Sequence, residues 1–289
     1  EDKPFFIHCG PNNPHDPYII PEKYAKMYDP KNIELPASYF DDLLDKPRVY
    51  QRQRNMLWSQ LSMDEVRESI AHYWGQCTMV DDYRKMVYDA IDALGIRDNT
   101  ILIFTSDHGD YVGAHGLYCK GVPAFDEGVR VPFIIRWPEG IENPGREVDE
   151  LCNLCDLAPT FLDVAGLEQN PTSGASLTPF FKSSQVENWT DEFHTQFNGV
   201  EFYYTQRSVM TKDFKYVFNG FDFDELYDLR NDPHEMLNLS QDAKYQDIKL
   251  EMVKRMWKFA CKEKDIIGNK YFTVALAPWG PNVGLHPQD

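Results

Sequence analysis

The stretch Ile101-Leu102-Ile103-Phe104-Thr105-Ser106-Asp107-His108-Gly109-Asp110 is the most informative in this chain. Four consecutive apolar residues bounded by polar ones suit a strand covered on both faces, the pattern of a parallel sheet between helices. Its polar groups gather at the carboxyl end, where open α/β sheets place their ligands. Asp107 and His108 together offer a hard oxygen and a nitrogen to a divalent cation. The plainer alternative is a capping Asp and a half-exposed His in a strand-to-loop turn.

On the amino-terminal side, a helix is predicted from Ser62 to about Leu94. Ser62-Met-Asp-Glu65 has the spacing of a capping box. Val66, Ile70, Tyr73, Cys77, Val80, Val87, Ile91 and Leu94 recur at helical intervals, and Gly95 can end the helix. This helix should pack on the sheet and feed the strand at Ile101. Within it, Asp81 and Asp82 could pair on a metal, but with Arg84 and Lys85 beside them they read as a salt-bridged surface. Further upstream, Phe5-Phe6-Ile7 reads as a buried strand. It leads into a turn-rich loop, residues 9–18, that presents His15 between Pro14 and Pro17. Residues 19–60 read as an irregular excursion over the surface.

Downstream, residues 111–122 read as a glycine-rich loop carrying His115 and Lys120, followed by an apolar strand over 129–137 with Arg130 at its entrance. Arg130 could bind substrate, but close to Asp126 and Glu127 it is expected in a buried structural ion pair. Asp156 should cap a short helix closed by Gly166. From residue 193 the character changes to aromatic and β-branched runs separated by turns (Phe202-Tyr-Tyr204, Ser208-Val-Met210, Phe214-Lys-Tyr-Val-Phe218 and Glu225-Leu-Tyr-Asp-Leu229). These are antiparallel strand signals, and a helix over about 242–264 follows. The expected fold is therefore α/β: a mixed, mostly parallel sheet covered by helices over 1–168, a connection over 169–192, and a small antiparallel sheet with a helix over 193–289.

Composition narrows the function. A formal charge of −17 disfavours nucleic acid and anionic membranes as partners, and any anionic substrate must meet local positive charge. No apolar run approaches the roughly 18 residues that span a membrane. Six scattered cysteines do not form a disulfide framework and are expected as free, mostly buried thiols. Cys152-Asn-Leu-Cys155 reads as a strand-to-helix junction with a metal or redox role as the lesser alternative. Asn188-Trp-Thr190 and Asn238-Leu-Ser240 fit the glycosylation pattern. The compartment stays open.

Taken singly, the polar residues are ambiguous. Lys120 suits an anionic substrate or bulk solvent; His15 suits a proton donor to a leaving oxygen or a loop support. His115 reads better as a structural hydrogen-bonding group than as a ligand. Their order, however, is specific. Pro14-His15-Asp16-Pro17, Thr105-Ser106-Asp107-His108-Gly109, Gly113-Ala-His-Gly-Leu117 with Lys120-Gly121, Arg130-Val-Pro132, Asp156-Leu-Ala-Pro-Thr160, and Leu226-Tyr-Asp-Leu229 with Asp232-Pro233 together resemble the type I sulfatases of the alkaline phosphatase superfamily.

That resemblance implies a sulfuric ester hydrolase acting on a sulfated small molecule or carbohydrate. It implies that Asp107 and His108 are two ligands of one divalent metal, Ca²⁺ in first place with Mg²⁺ or Mn²⁺ as alternatives. It implies further that Lys120 and His15 contact the sulfate and that His15 helps the alcohol leave. The family's nucleophile is a formylglycine matured from a Cys/Ser-x-Pro-Ser-Arg motif, and no such motif occurs here. Cys9-Gly-Pro11 imitates its start, but Asn12 and Asn13 follow. The chain is thus expected to be the later part of a catalytic domain, partnered by an amino-terminal half that supplies the nucleophile and two further aspartate ligands, and to be inactive alone. A phosphonate monoester or phosphodiester hydrolase, and a non-catalytic module, are the other readings.

Overall fold

The computed structural model describes residues 3–121, 124–169, 172–199, 204–220, 222–265, 267 and 279–280. In chain order it contains α1 (Glu22–Ala25), α2 (Arg48–Gln53), α3 (Met63–Ala93), β1 (Leu102–Thr105), α4 (Asp126–Val129), β2 (Phe133–Arg136), α5 (Leu157–Val164), β3 (Phe193–Phe197), β4 (Gln206–Met210), β5 (Phe214–Phe218), β6 (Glu225–Asp228) and α6 (Gln246–Lys262).

The carboxyl-terminal half follows its sequence closely. β3 to β6 form a four-stranded antiparallel sheet in sequential order. Side chains alternate between faces along each strand, so Tyr216 and Phe218 point one way and Val217 the other. Tyr216, Phe218 and Leu226 join Val209 and the α6 residues Met252, Val253, Met256 and Trp257 in one core. Val217 and Tyr227 join a second core with Leu43, Tyr50, Tyr111, Leu117 and Phe125. The sheet is therefore covered on both faces, by α6 and by the segment that carries Lys120. The expected run Phe202-Tyr203 lies outside the described residues.

α3 begins with the expected capping box: the Ser62 hydroxyl accepts from the Glu65 amide while Glu65 accepts from the Ser62 amide. Gly95 follows the helix with φ +66°. Val66, Ile70 and Ala71 are buried against Ile33 and its neighbours, and Arg84 lies over the ring of Phe104 in β1. The last turns differ from expectation, since Met86, Val87 and Leu94 stand exposed. Asp81 pairs with Arg84, and Asp82 accepts from Lys23 and Tyr24, as a salt-bridged surface should.

Several expectations are corrected. β1 pairs antiparallel with β2, with Thr105 opposite Phe133 and Leu102 opposite Arg136. An apolar run reports the capacity for burial on both faces and carries no information on the direction of its partner. Phe5-Phe6-Ile7 lies in no strand, and each side chain is more than half exposed, since no described strand pairs with it. The cysteines form no disulfide with one another, but none is buried. Arg130 is 82% exposed and 3.7 Å from Asp126, a surface pair. The Asp156 side chain does not cap α5. It closes a capping box with Asn153 and accepts from the Ala175 amide, tying the helix entrance to the following loop.

The excursion over 19–60 is mostly irregular, and it hides a buried ion pair. Lys46 and Asp41 lie 3.0 Å apart, and Asp41 also accepts from His115 Nδ1 at 2.7 Å. His115 stacks on Phe125, as befits a structural group. Asn238 spends its side chain on Asp45, Asp224, Leu226 and Ser240, so the second glycosylation pattern is a structural asparagine. No helix among the described residues is long and apolar enough to cross a membrane.

Candidate active site

The folded chain brings together the four residues singled out in the sequence. Lys120 Nζ donates to His15 Nε2 at 2.6 Å, across 105 positions of sequence. The other ring nitrogen of His15 donates to the Asp16 carbonyl at 2.7 Å and lies 3.1 Å from the Asp16 carboxylate. This pattern assigns the neutral ring with its proton on Nδ1 and its lone pair on Nε2. The rings of His15 and His108 stand edge to face with centroids 6.5 Å apart. His15 is exposed and Lys120 half-buried, so both are open to a ligand from solvent.

Asp107 and His108 leave the end of β1. The His108 Nδ1–H is spent on the Gly109 carbonyl at 2.8 Å, which leaves Nε2 facing the Asp107 carboxylate at 3.7 Å. Burial raises the Asp107 carboxyl, but His108, two backbone amides and the Ser106 hydroxyl outweigh it and hold the group below the ordinary carboxylate value. An ionised carboxylate beside an imidazole nitrogen suits a hard divalent cation, which would take the place of any proton on that nitrogen. The pair supplies only two donors, where Ca²⁺ takes about six to eight. Among the described residues no group of three or more His, Cys, Asp or Glu could hold a metal. The residues present thus fit part of a coordination shell.

Gly109 is what lets this turn form. A Cβ there would lie 1.9 Å from the Glu127 carbonyl oxygen, while its amide donates to the Gly128 carbonyl at 3.0 Å. The turn carrying Asp107 and His108 is therefore pressed against α4. Asp126 of α4 is in turn held by Lys215 of β5 at 2.5 Å, and Lys215 also meets Glu235 at 2.6 Å. A continuous chain of contacts runs from the buried sheet to the exposed pair.

The loop that carries Lys120 is unusual in its backbone. Val112, His115 and Cys119, as well as Gly113, Gly116 and Gly121, have positive φ. Left-handed conformations are unfavourable for side chains other than glycine's, most of all for a β-branched residue, and persist where the surroundings over-determine them. Sequence reasoning found this loop by its glycines and missed its supports. These are Asp110, whose carboxylate accepts from the Val112 amide at 3.0 Å and from the Tyr18 hydroxyl at 2.9 Å, and Tyr18 itself. Burial is the main cause that holds Asp110 above the ordinary carboxylate value and raises Tyr18, which Asp110 raises further, so Tyr18 is the donor. Both residues adjoin the motifs that were read, at Pro17-Tyr18 and Gly109-Asp110, and that adjacency is the available signal.

The chain resembles known proteins over most of its length. Residues 1–167 match the family model for sulfatases, and residues 113–262 match that for the carboxyl-terminal region of N-sulphoglucosamine sulphohydrolase. An uncharacterised sulfatase, YidJ of Escherichia coli (strain K12), is 33% identical over 286 residues, 96% of this chain and 55% of the relative. An arylsulfatase of Clostridium perfringens is 30% identical over 251 residues, covering 85% and 51%. Among solved structures, the phosphonate monoester hydrolase of Agrobacterium radiobacter superposes with a TM-score of 0.78 at 25% identity, covering 86% of this chain and 55% of that one. The chain spans about half the length of the curated relatives it matches.

Proposed function

The chain belongs to the sulfatase family, and from that premise we propose that it forms part of a sulfuric ester hydrolase acting on sulfated small molecules or carbohydrates. The observation that carries this reading is the 2.6 Å contact between Lys120 and His15 beside Asp107 and His108. A chain of charge −17 repels anions at long range, so a sulfate group needs a cation placed against it. Lys120 is that cation. Its ammonium would contact a sulfuryl oxygen and stabilise the charge that grows there as the ester bond breaks. In the free site His15 Nε2 accepts from Lys120; once that ammonium turns to a sulfuryl oxygen, Nε2 would be free to take up a proton and pass it to the departing alcohol oxygen.

Asp107 and His108 would hold a divalent cation, with Ca²⁺ as the first choice and Mg²⁺ or Mn²⁺ as alternatives. When bound it would supply Lewis-acid neutralisation of the sulfuryl oxygens. The nucleophile is proposed to be a formylglycine contributed from outside this sequence, along with the rest of the catalytic domain as partner. Two features support that partner: the exposed apolar residues Phe5, Phe6, Ile7, Met86, Leu94 and Leu167, and a two-stranded sheet whose outer edges are unpaired among the described residues.

The test is turnover of an aryl sulfate by the complete protein. Asp107→Ala should abolish it, and retained turnover would remove the metal assignment. The structural likeness to a phosphonate monoester hydrolase favours a second reading, in which the same residues act on phosphorus. Rates on 4-nitrophenyl sulfate and on a phenylphosphonate monoester, compared at equal enzyme, decide between them.

A further inference from the structure

We infer that Asp110 and Tyr18 form a clamp that positions His15 against Lys120, making both positioning residues for the proposed reaction. His15 and Lys120 sit on two loops that share no strand or helix, so something must fix their separation. Asp110 is the one described carboxylate that reaches both. It accepts from the Tyr18 hydroxyl at 2.9 Å on the His15 loop, and from the Val112 amide at 3.0 Å in the loop that carries Lys120, where the adjoining Tyr111 amide donates to the Cys119 carbonyl at 2.9 Å. Val112 is one of the residues with positive φ, so Asp110 secures the strained backbone where it first bends.

Tyr18 is itself fixed from the far side. Its ring meets Tyr73 of α3 edge to face at 5.4 Å, and His72 Nδ1 donates to its carbonyl at 3.2 Å. Gln76 donates to the neighbouring Pro17 carbonyl at 3.3 Å. The His15 loop is thereby held between a long helix and a carboxylate. Asp110 does this from the position immediately after the turn that carries Asp107 and His108. One hydroxyl–carboxylate bond therefore joins the proton donor, the sulfate-binding cation and the metal-binding pair into one arrangement.

The clamp rests on the roles proposed for His15 and Lys120, and its test separates the two. Long-range ¹H–¹⁵N spectra of the complete protein report the His15 ring, with Nδ1 protonated and Nε2 accepting from Lys120, and Lys120→Met records the signature of the lost contact. Tyr18→Phe keeps the ring against Tyr73 and removes only the hydroxyl; Asp110→Asn keeps the volume. In folded protein, both variants are expected to move the His15 nitrogens toward their positions in Lys120→Met. Turnover should fall about tenfold or more in kcat with KM changed far less, as misplacement of reacting groups produces. His15 signals identical to wild type in Tyr18→Phe would overturn the clamp, and that variant decides alone if Asp110→Asn does not fold. If the His15 signals move as expected while the wild-type protein turns over no sulfate ester, the clamp stands and the functional reading falls.

Discussion

β4 buries four of its five residues and β6 all four, whereas no residue of β1 or β2 is fully buried. The two sheets lie in one chain and are linked through Lys215, Asp126 and Gly109, yet they hold opposite shares of what the molecule needs. The four-stranded sheet, packed on both faces, holds the burial and therefore the folding energy. The two-stranded sheet carries the residues proposed for the chemistry on an exposed rim. The rim therefore borrows its geometry: Asp107 and His108 are placed by a turn pressed on α4, and α4 is placed by the buried sheet.

Cutting that link at its buried end should have the largest effect. Lys215 is fully buried between Asp126 and Glu235, so Lys215→Ala leaves Glu235 without its cation and Asp126 with only the exposed Arg130. Loss of one partner of a buried pair costs about 3–5 kcal/mol. Urea unfolding followed by circular dichroism should show a drop of that size, and a loss under about 1 kcal/mol would mean that the rim is held in some other way.

The same region should give the chain an unusual response to pH. Burial pushes Glu225 and Glu235 up to about 7. A carboxyl whose folded-state value is raised binds its proton more tightly when folded, so between about pH 4.5 and 7 the folded chain carries protons that the unfolded chain has lost. Stability from these two groups should therefore be full below about pH 4.5 and decline as pH rises toward 7. The loss is on the order of 3 kcal/mol for each group, because holding a proton ten times more tightly is worth about 1.4 kcal/mol. Carboxylates held low, such as Asp41 and Asp265, act at the acid end and leave this window alone. Glu225→Gln should flatten the decline in the urea midpoint across this range. An unchanged slope in that variant would assign it to other groups.

How much of this was legible depends on the kind of residue involved. Phe214-Lys-Tyr-Val-Phe218 announces a strand through its aromatic and β-branched residues, and Ser62 with Glu65 announces a helix start, because both signals are local. Lys215 and Glu235 gave no sign of burial, since charged residues are almost never buried without partners and both meet Asp126 across a long stretch of sequence. The same holds for Asp41 with His115, which meet across 74 positions. Asp107, His108, His15 and Lys120 could be named from their motifs. Their contact could not, because it depends on Tyr18 meeting Asp110 across 92 positions. β1 was legible as a strand and not in its pairing.

At the joint between the two regions the expected effect is smaller. Gly109→Ala would place a methyl group 1.9 Å from the Glu127 carbonyl oxygen, which is backbone and can yield only by moving α4. Overpacking of this kind costs about 1–3 kcal/mol. The shift should also be visible at the rim, as changed chemical shifts of the His108 ring. A variant with wild-type stability and an unmoved His108 would break the proposed mechanical link even if the Lys215 result held.

The smallest effect is expected at Arg130, which faces the same Asp126 as Lys215 but from solvent. Its guanidinium lies 3.7 Å from the carboxylate and the side chain is 82% exposed, against 2.5 Å and near-complete burial for Lys215. Water screens an exposed pair, and holding two long side chains together costs conformational freedom, so such pairs contribute about 0–1 kcal/mol. Arg130→Ala should therefore lower the unfolding free energy by less than about 0.5 kcal/mol. Because both cations share one carboxylate, the pair of substitutions separates burial from charge: removing either deletes one positive charge near Asp126, and only Lys215 is predicted to matter. If Arg130→Ala proved as costly as Lys215→Ala, charge near Asp126 rather than burial would be what holds the rim, and the contrast between the two sheets would lose its physical basis.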